Sequence, residues 1–245
     1  MADLILPARA QVRPDAAPAA PSRRAFFKRA GAGLGTLALA GTVAATASGC
    51  DGNSPGSGTV VLDFSNDFGV LNYAYALEQL EYAFYLRVTQ TAYFQGAPSA
   101  EQQILDDLRK HEKVHVDFLA AAIPALGGTL IGNLEFDFGQ INFSSRASVL
   151  EAARLFEDTG VSAYNGAGQY LRNPDLLTIA GKIVSVEARH ASAIRDILQP
   201  GTNAFAGDDV VSVQGALDVS AMPAQVVSGI APFVRGRVEV RNVPT

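Results

Sequence analysis

One short pattern occurs twice in this chain, and both copies put charge where a folded core should be. A Glu is followed seven residues on by a Tyr, and a Glu-x-x-His comes later. The first copy is Glu78, Tyr85, Glu112 and His115, and the second is Glu157, Tyr164, Glu187 and His190. The Glu-to-Glu steps are 34 and 30 residues. Positions i and i+3 share one face of an α-helix, so each Glu-x-x-His presents a carboxylate and an imidazole to the same point. At about 1.5 Å of rise per residue, such a step takes the chain up one helix, round a turn and back along the next. Two lone Glu and two Glu-x-x-His on four helices, all turned inward, describe a carboxylate-bridged dinuclear metal site in a bundle core.

The surrounding residues say which face each Glu occupies. The stripes are Leu71, Ala74, Tyr75, Glu78, Tyr82, Tyr85; then Leu105, Leu108, Glu112, His115, Leu119; then Leu150, Ala153, Glu157, Val161, Tyr164; then Ile179, Ile183, Glu187, His190, Ile194, Ile197. In each, a Glu stands where helical periodicity requires an apolar residue. A buried, unpaired carboxylate is costly and would neutralise. Two divalent cations against four carboxylates and two neutral imidazoles balance the charge.

The chain has three His, and the third, His111, sits one residue before Glu112. That places it about 100° round the helix, behind the ligands or on the surface. Glu81, three residues after Glu78, also faces inward. It is read either as a further ligand or as an acceptor behind the ligands.

The first fifty residues read as a signal and not as part of the fold. "SRRAFFK" (22–28) has the form of a twin-arginine export signature with Arg23 and Arg24 as the pair. The mildly apolar run 31–47, rich in Gly, Ala and Thr, suits a signal better than a permanent membrane span. Cys50, the only cysteine, closes "ASGC" and has the form of a lipidation site, with "ATA" at 45–47 as a competing simple cleavage site. A single Cys excludes an internal disulfide framework and an iron–sulfur module. Residues 51–59 read as a flexible linker.

Past Cys50 the chain keeps 13 Lys and Arg against 22 Asp and Glu, a formal charge of −9 that argues against nucleic acid as a partner. The remainder is long enough for one domain with a sizeable core. The first helix is expected from about Asp67 to Thr91. The second starts at a Ser99-x-x-Gln102 capping box and stops at Pro124. A long crossover spans 127–145. The third helix is capped at Ser144 or Ser145 and runs to about Leu171. The fourth opens on Asn173, Pro174 and Asp175 and ends at "QPG" (199–201). Residues 201–245 form an irregular C-terminal extension packing on the bundle. It holds a short helix at 222–234 and then, in "RVEVRNVP" (237–244), a short strand that pairs with 59–64 or with the crossover. The expectation is an all-α bundle over 60–200 with the long middle crossover of ferritin-like proteins.

The strings "LEQLEYAFY" (77–85), "HEKVH" (111–115), "FDFG" (136–139), "LFEDTGVSAYNGAG" (155–168) and "VEARHASAIR" (186–195) resemble the ferritin-like superfamily. Within it they look most like bacterial ferritin-like domain proteins related to plant desiccation-related proteins. The resemblance implies Glu78, Glu112, His115, Glu157, Glu187 and His190 as ligands of two Fe or Mn ions. Tyr85 corresponds to a tyrosine that ferritins keep near the site. The single-helix Glu pair would bridge or chelate the ions, each Glu-x-x-His would cap one ion, and Tyr85 or Tyr164 would supply an electron or a hydrogen bond. The crossover, the tail and the lipid anchor depart from cage-forming ferritins and put iron storage in doubt.

The expected function is that of an exported, envelope-held dinuclear-metal oxidoreductase handling O₂ or peroxide under oxidative or drying stress. The alternative is a non-enzymatic envelope stress module whose metal is structural. Expected partners are the twin-arginine export machinery, a membrane surface reached through Cys50, and a second copy of the chain.

Overall fold

The computed structural model describes residues 58–212 and 215–244. Arg23, Arg24, Cys50 and almost all of the linker lie outside the described residues. The elements are β1 (Thr59–Asp63), α1 (Asp67–Val88), α2 (Ala92–Gly96), α3 (Ser99–Ala125), β2 (Glu135–Phe136), α4 (Arg146–Ala167), α5 (Pro174–Leu198), α6 (Pro223–Ile230), β3 (Val234–Arg235) and β4 (Arg237–Arg241).

Helices α1, α3, α4 and α5 form the bundle. α1 packs on α3, α4 packs on α5, and α1 also contacts α4. α1 is buried without a break from Gly69 to Glu81, so it is the central helix and carries no wide polar face. The other three are amphipathic, with Leu105, Leu108, Leu119, Leu150, Ala153, Phe156, Ile183 and Ile194 turned to the core.

Several expected boundaries shift, each for a local reason. The first long helix stops at Val88, and Thr91 caps the separate short helix α2 by accepting from the Phe94 N–H. Ser99 is the first helical residue of α3 rather than its cap; Pro98 occupies the cap position and no side-chain cap bond forms there. Gln102 donates instead to the carbonyls of Ala97 (2.7 Å) and Gln95 (3.3 Å). Pro124 lies inside the last turn of α3, and the helix closes beyond it with the Leu126 N–H on the Ala122 carbonyl. α4 ends at Ala167 in a 3₁₀ turn, Gly168–Tyr170. The caps at Ser145 and Asn173 form as the sequence suggests.

The crossover lies along α1. Asn72 donates to the Thr129 carbonyl and accepts from the Ile131 N–H, and Gln79 accepts from the Leu134 N–H, each at 2.9 Å. Phe84 meets Phe156 edge-on at 5.0 Å and Phe138 of the crossover at 5.9 Å, and Phe156 meets Phe233 at 4.9 Å, so crossover, bundle and tail share one aromatic core.

The C-terminal extension is more ordered than an irregular tail, and of the two alternatives for the strand in 237–244 the pairing with 59–64 occurs. β2 and β3 pair antiparallel, joining the crossover to the tail. β4 pairs with β1 in parallel, in register from Thr59↔Arg237 to Asp63↔Arg241. The tail crosses α4 so closely that a Cβ on Gly166 would stand 1.9 Å from the Ala221 carbonyl oxygen, which only glycine allows. Among the described residues no helix is long and apolar enough to cross a membrane.

Candidate metal centre

The bundle core brings all six sequence-predicted ligands together. α1 supplies Glu78, α3 supplies Glu112 and His115, α4 supplies Glu157, and α5 supplies Glu187 and His190. All four carboxylates are fully buried. They form two overlapping groups, Glu78–Glu112–His115–Glu187 and Glu112–Glu157–Glu187–His190, within each of which the donor atoms lie inside 4.8 Å of one another.

The oxygens divide between the two imidazoles. His115 Nδ1 lies 3.0 Å from Glu78 Oε2, 3.0 Å from Glu187 Oε1 and 3.2 Å from Glu112 Oε2. His190 Nδ1 lies 2.8 Å from Glu112 Oε1, 3.6 Å from Glu157 Oε2 and 3.7 Å from Glu187 Oε2. Glu112 and Glu187 therefore turn one oxygen toward each imidazole, whereas Glu78 and Glu157 each serve a single group. The overlap falls on the Glu of the Glu-x-x-His pairs: Glu112 and Glu187 belong to both groups, and the lone Glu78 and Glu157 to one each. The reason is geometric. Two carboxylates stand on the same helices as the two imidazoles, so each reaches both.

Much of this polar surface has no hydrogen-bond partner. Glu112 Oε1, Glu157 Oε2, both oxygens of Glu187 and His190 Nδ1 are buried and unbonded. All of them belong to the two groups whose donor atoms lie within 4.8 Å of one another. Orphaned buried donors of this kind are expensive in a protein interior. Hard carboxylate oxygens and imidazole nitrogens facing a common centre are the donor set that a divalent cation satisfies. The residues present fit a dinuclear metal group.

Protons show the same need for positive charge. Burial, and then the Glu187 charge, push the Glu112 carboxyl well above its usual range. Burial dominates in raising Glu157 to about 7. Glu187 goes the other way: burial would raise it, but its contacts with His115 and His190 hold it at about 2. Burial opposes protonation of His115, yet Glu112, Glu187 and Glu78 lift it to about 12. His190 is raised by the same kind of carboxylate contacts. Without metal, the core keeps its charge low by holding protons on carboxylates and both imidazoles.

The partners behind the ligands are ordered too. Tyr85 donates to Glu157 Oε1 at 2.6 Å, and Tyr164 donates to Glu78 Oε1. His111 is exposed, and its Nδ1 lies 2.9 Å from His190 Nε2. Burial, then the His190 charge, hold His111 below its usual value, which suits it to accept a proton-bearing Nε2–H from His190. Glu81 is buried on the inner face of α1 but belongs to neither four-residue group.

Two features escape a reading by helix period alone. Arg195, 5% exposed, pairs with Asp158 at 2.7 Å and with Asp209 at 2.8 Å, clamping the loop after α5 over the α4–α5 pair. Gly160, on the face of α4 that carries Glu157, leaves a gap that the Glu81 carboxylate enters. The repeat itself holds the signal for it, since Gly160 follows Glu157 by the same three residues as Glu81 follows Glu78.

A protein-family model described as a ferritin-like domain matches residues 66–200, more than half of the chain and all four bundle helices up to the turn after α5. No curated protein matches the chain.

Proposed function

The chain belongs to the ferritin-like domain family, and from that premise we propose that its bundle core holds two Fe or Mn ions and handles O₂ or peroxide at the cell envelope. The observation that carries the reading is the pair of overlapping donor groups sharing Glu112 and Glu187. Four carboxylates balance two divalent ions, and the carboxylate–imidazole donor set suits iron and manganese alike. When bound, the ions supply the redox chemistry. The chain's own residues fix the rest. Glu112 and Glu187 would contribute to both positions. Glu78 and Glu157 close the outer sides, each oriented by a phenol from the opposite half of the repeat. Tyr85 and Tyr164, both buried, keep their protons and can donate a hydrogen bond or, as oxidisable phenols, an electron.

Export by the twin-arginine route and anchoring through a lipidated Cys50 belong to the same proposal. They rest on "SRRAFFK" and "ASGC", and a role in oxidative or drying stress follows from that location together with the resemblance of the helix strings. Twin-arginine export carries folded proteins, which suits a metal site assembled before crossing.

The second reading is a structural metal in a non-enzymatic envelope module, favoured by the complete burial of the four carboxylates. Elemental analysis of protein purified from its own compartment tests the shared premise: about two metal ions per chain are expected. Metal-dependent turnover of peroxide then separates the oxidoreductase from the structural reading. Folded protein with no bound Fe, Mn or Zn overturns both.

A further inference from the structure

Five carboxylates, not four, enter the metal centre's surroundings. Glu81 is 2% exposed, and its Oε2 has no hydrogen-bond partner. Its Oε1 reaches across from α1 to α4 and lies 2.7 Å from the point where a Cβ on Gly160 would stand; Glu187 Oε2, itself without a partner, lies 3.7 Å from that same point. Burial first, and then the charges of Glu187 and Glu157, act on this carboxyl most strongly. Gly160 follows Glu157 by three residues, and Glu187 Oε2 is the oxygen that lies 3.7 Å from His190 Nδ1, so Glu81 stands beside the group of Glu112, Glu157, Glu187 and His190, though outside its four donors.

The internal repeat makes this placement specific. In the first copy the residue three after the lone Glu is Glu81, and in the second it is Gly160. One half supplies a carboxylate, and the other supplies the space for it. A glycine inside a helix costs about 1 kcal/mol relative to alanine. Here even an alanine methyl would press on Glu81 Oε1, so the position has a steric reason to lack a side chain.

We infer that Glu81 is an additional metal donor serving the Glu157–His190 position, admitted by the gap at Gly160. This rests on the dinuclear reading and deepens it. The Glu78–His115 position has three carboxylates and one imidazole, and the Glu157–His190 position has four carboxylates and one imidazole. The two positions are unequal, and the second is the richer in hard anionic oxygen, the donor type that favours Mn²⁺ and iron over softer ions.

The test titrates Mn²⁺ alone into metal-stripped full-length protein by calorimetry, for the wild type, Glu81→Gln and Gly160→Ala. The wild type shows two binding steps. Glu81→Gln leaves one step in place and weakens the other at least about 10-fold, the scale on which groups supporting a metal site act. Gly160→Ala gives the same pattern, because its methyl displaces the Glu81 carboxylate. Melting curves of the stripped proteins guard against misfolding: Glu81→Gln removes a buried acid and melts no lower than the wild type. Two unchanged steps in Glu81→Gln overturn the inference and leave the dinuclear reading intact. Equal weakening of both steps overturns the assignment to one position. No binding by the wild type overturns the dinuclear reading itself.

Discussion

The hydroxyl of Tyr85 donates to Glu157 Oε1 across the bundle, and Tyr164 makes the equivalent bond to Glu78, so each tyrosine serves the lone Glu of the other half of the repeat. Burial, then the adjacent carboxylate, hold both phenols protonated. The bonds take up the oxygens that do not face the imidazoles. Tyr85→Phe leaves Glu157 Oε1 buried without its partner, a loss on the order of 1–3 kcal/mol. At about 2–4 °C per kcal/mol for a domain of this size, the metal-loaded variant melts several degrees below wild type by calorimetry. The metal count stays at two, since Oε1 is not the oxygen turned to the centre. An unchanged melting temperature would show that this bond does not form.

The candidate donors differ in how many of the two groups they join. Glu112 and Glu187 belong to both groups, and Glu78 and Glu157 to one each. Replacing Glu112 and Glu187 together with Ala lowers occupancy below one metal per chain. Glu78→Ala removes the position of His115 and leaves about one ion bound. Elemental analysis after desalting reads both numbers. Retention of two ions by the double variant contradicts the shared role.

This buried cluster was legible in the sequence because helical period and charge disagree there. Glu78, Glu112, Glu157 and Glu187 interrupt apolar stripes, and all four are fully buried. The four helices and the caps at Ser145 and Asn173 were legible for local reasons of the same kind. The sharing of Glu112 and Glu187 was not, since spacing puts a Glu on a face but does not say which of its oxygens meets which imidazole. The parallel pairing of Thr59–Asp63 with Arg237–Arg241 was open between two alternatives, because a contact between the two ends of the domain leaves no periodic trace. The start of α3 at Ser99 was legible but its cap was misread, because Pro98 takes the cap position and a capping-box pattern cannot reveal that.

His111 touches the centre only through His190. Its Nδ1 lies 2.9 Å from His190 Nε2, and as the acceptor of that bond it would fix the His190 tautomer that leaves Nδ1 free to face the carboxylates. His111→Ala removes that acceptor from an exposed position, so stability of the stripped protein changes little. Affinity at the His190 position falls about 10-fold. His111→Asn, which keeps an acceptor, restores a good part of it. Equal affinity in the Ala and Asn variants would show that His111 does not position the ligand.

Location is tested at Arg23, Arg24 and Cys50. Changing both Arg to Lys is expected to trap the precursor in the cytoplasm. Cys50→Ser is expected to release the protein from detergent-soluble membrane fractions or leave it unprocessed, as immunoblotting of cell fractions shows. A mature N-terminus at Ser48 by mass spectrometry would mean simple cleavage after "ATA" instead.

The cluster's protonation sets how the metal-free fold depends on pH. Glu157 is raised from an ordinary 4.5 to about 7, so the stability contributed by its protonated form is complete below pH 4.5 and lost as pH climbs through 7. His115 is raised from 6.5 to about 12, so the stability of its cation is complete below pH 6.5 and lost as pH rises toward 12. Glu187 is lowered to about 2; its contribution is present above pH 4.5 and disappears only in strong acid, so it is constant between pH 5.5 and pH 8. Both moving contributions have one sign, and stripped protein is less stable at pH 8 than at pH 5.5. Bound cations replace the protons, so loaded protein changes less over that range. Chelation therefore lowers the melting temperature at both pH values, and lowers it more at pH 8. With metal at about 1,000 times its Kd, mass action stabilises by about 4 kcal/mol, or a difference on the order of 10 °C. Metal affinity weakens in acid, so fully stripped protein must be compared with saturated protein at each pH. Equal melting temperatures for the two forms at both pH values would mean that these carboxylates do not share one buried centre.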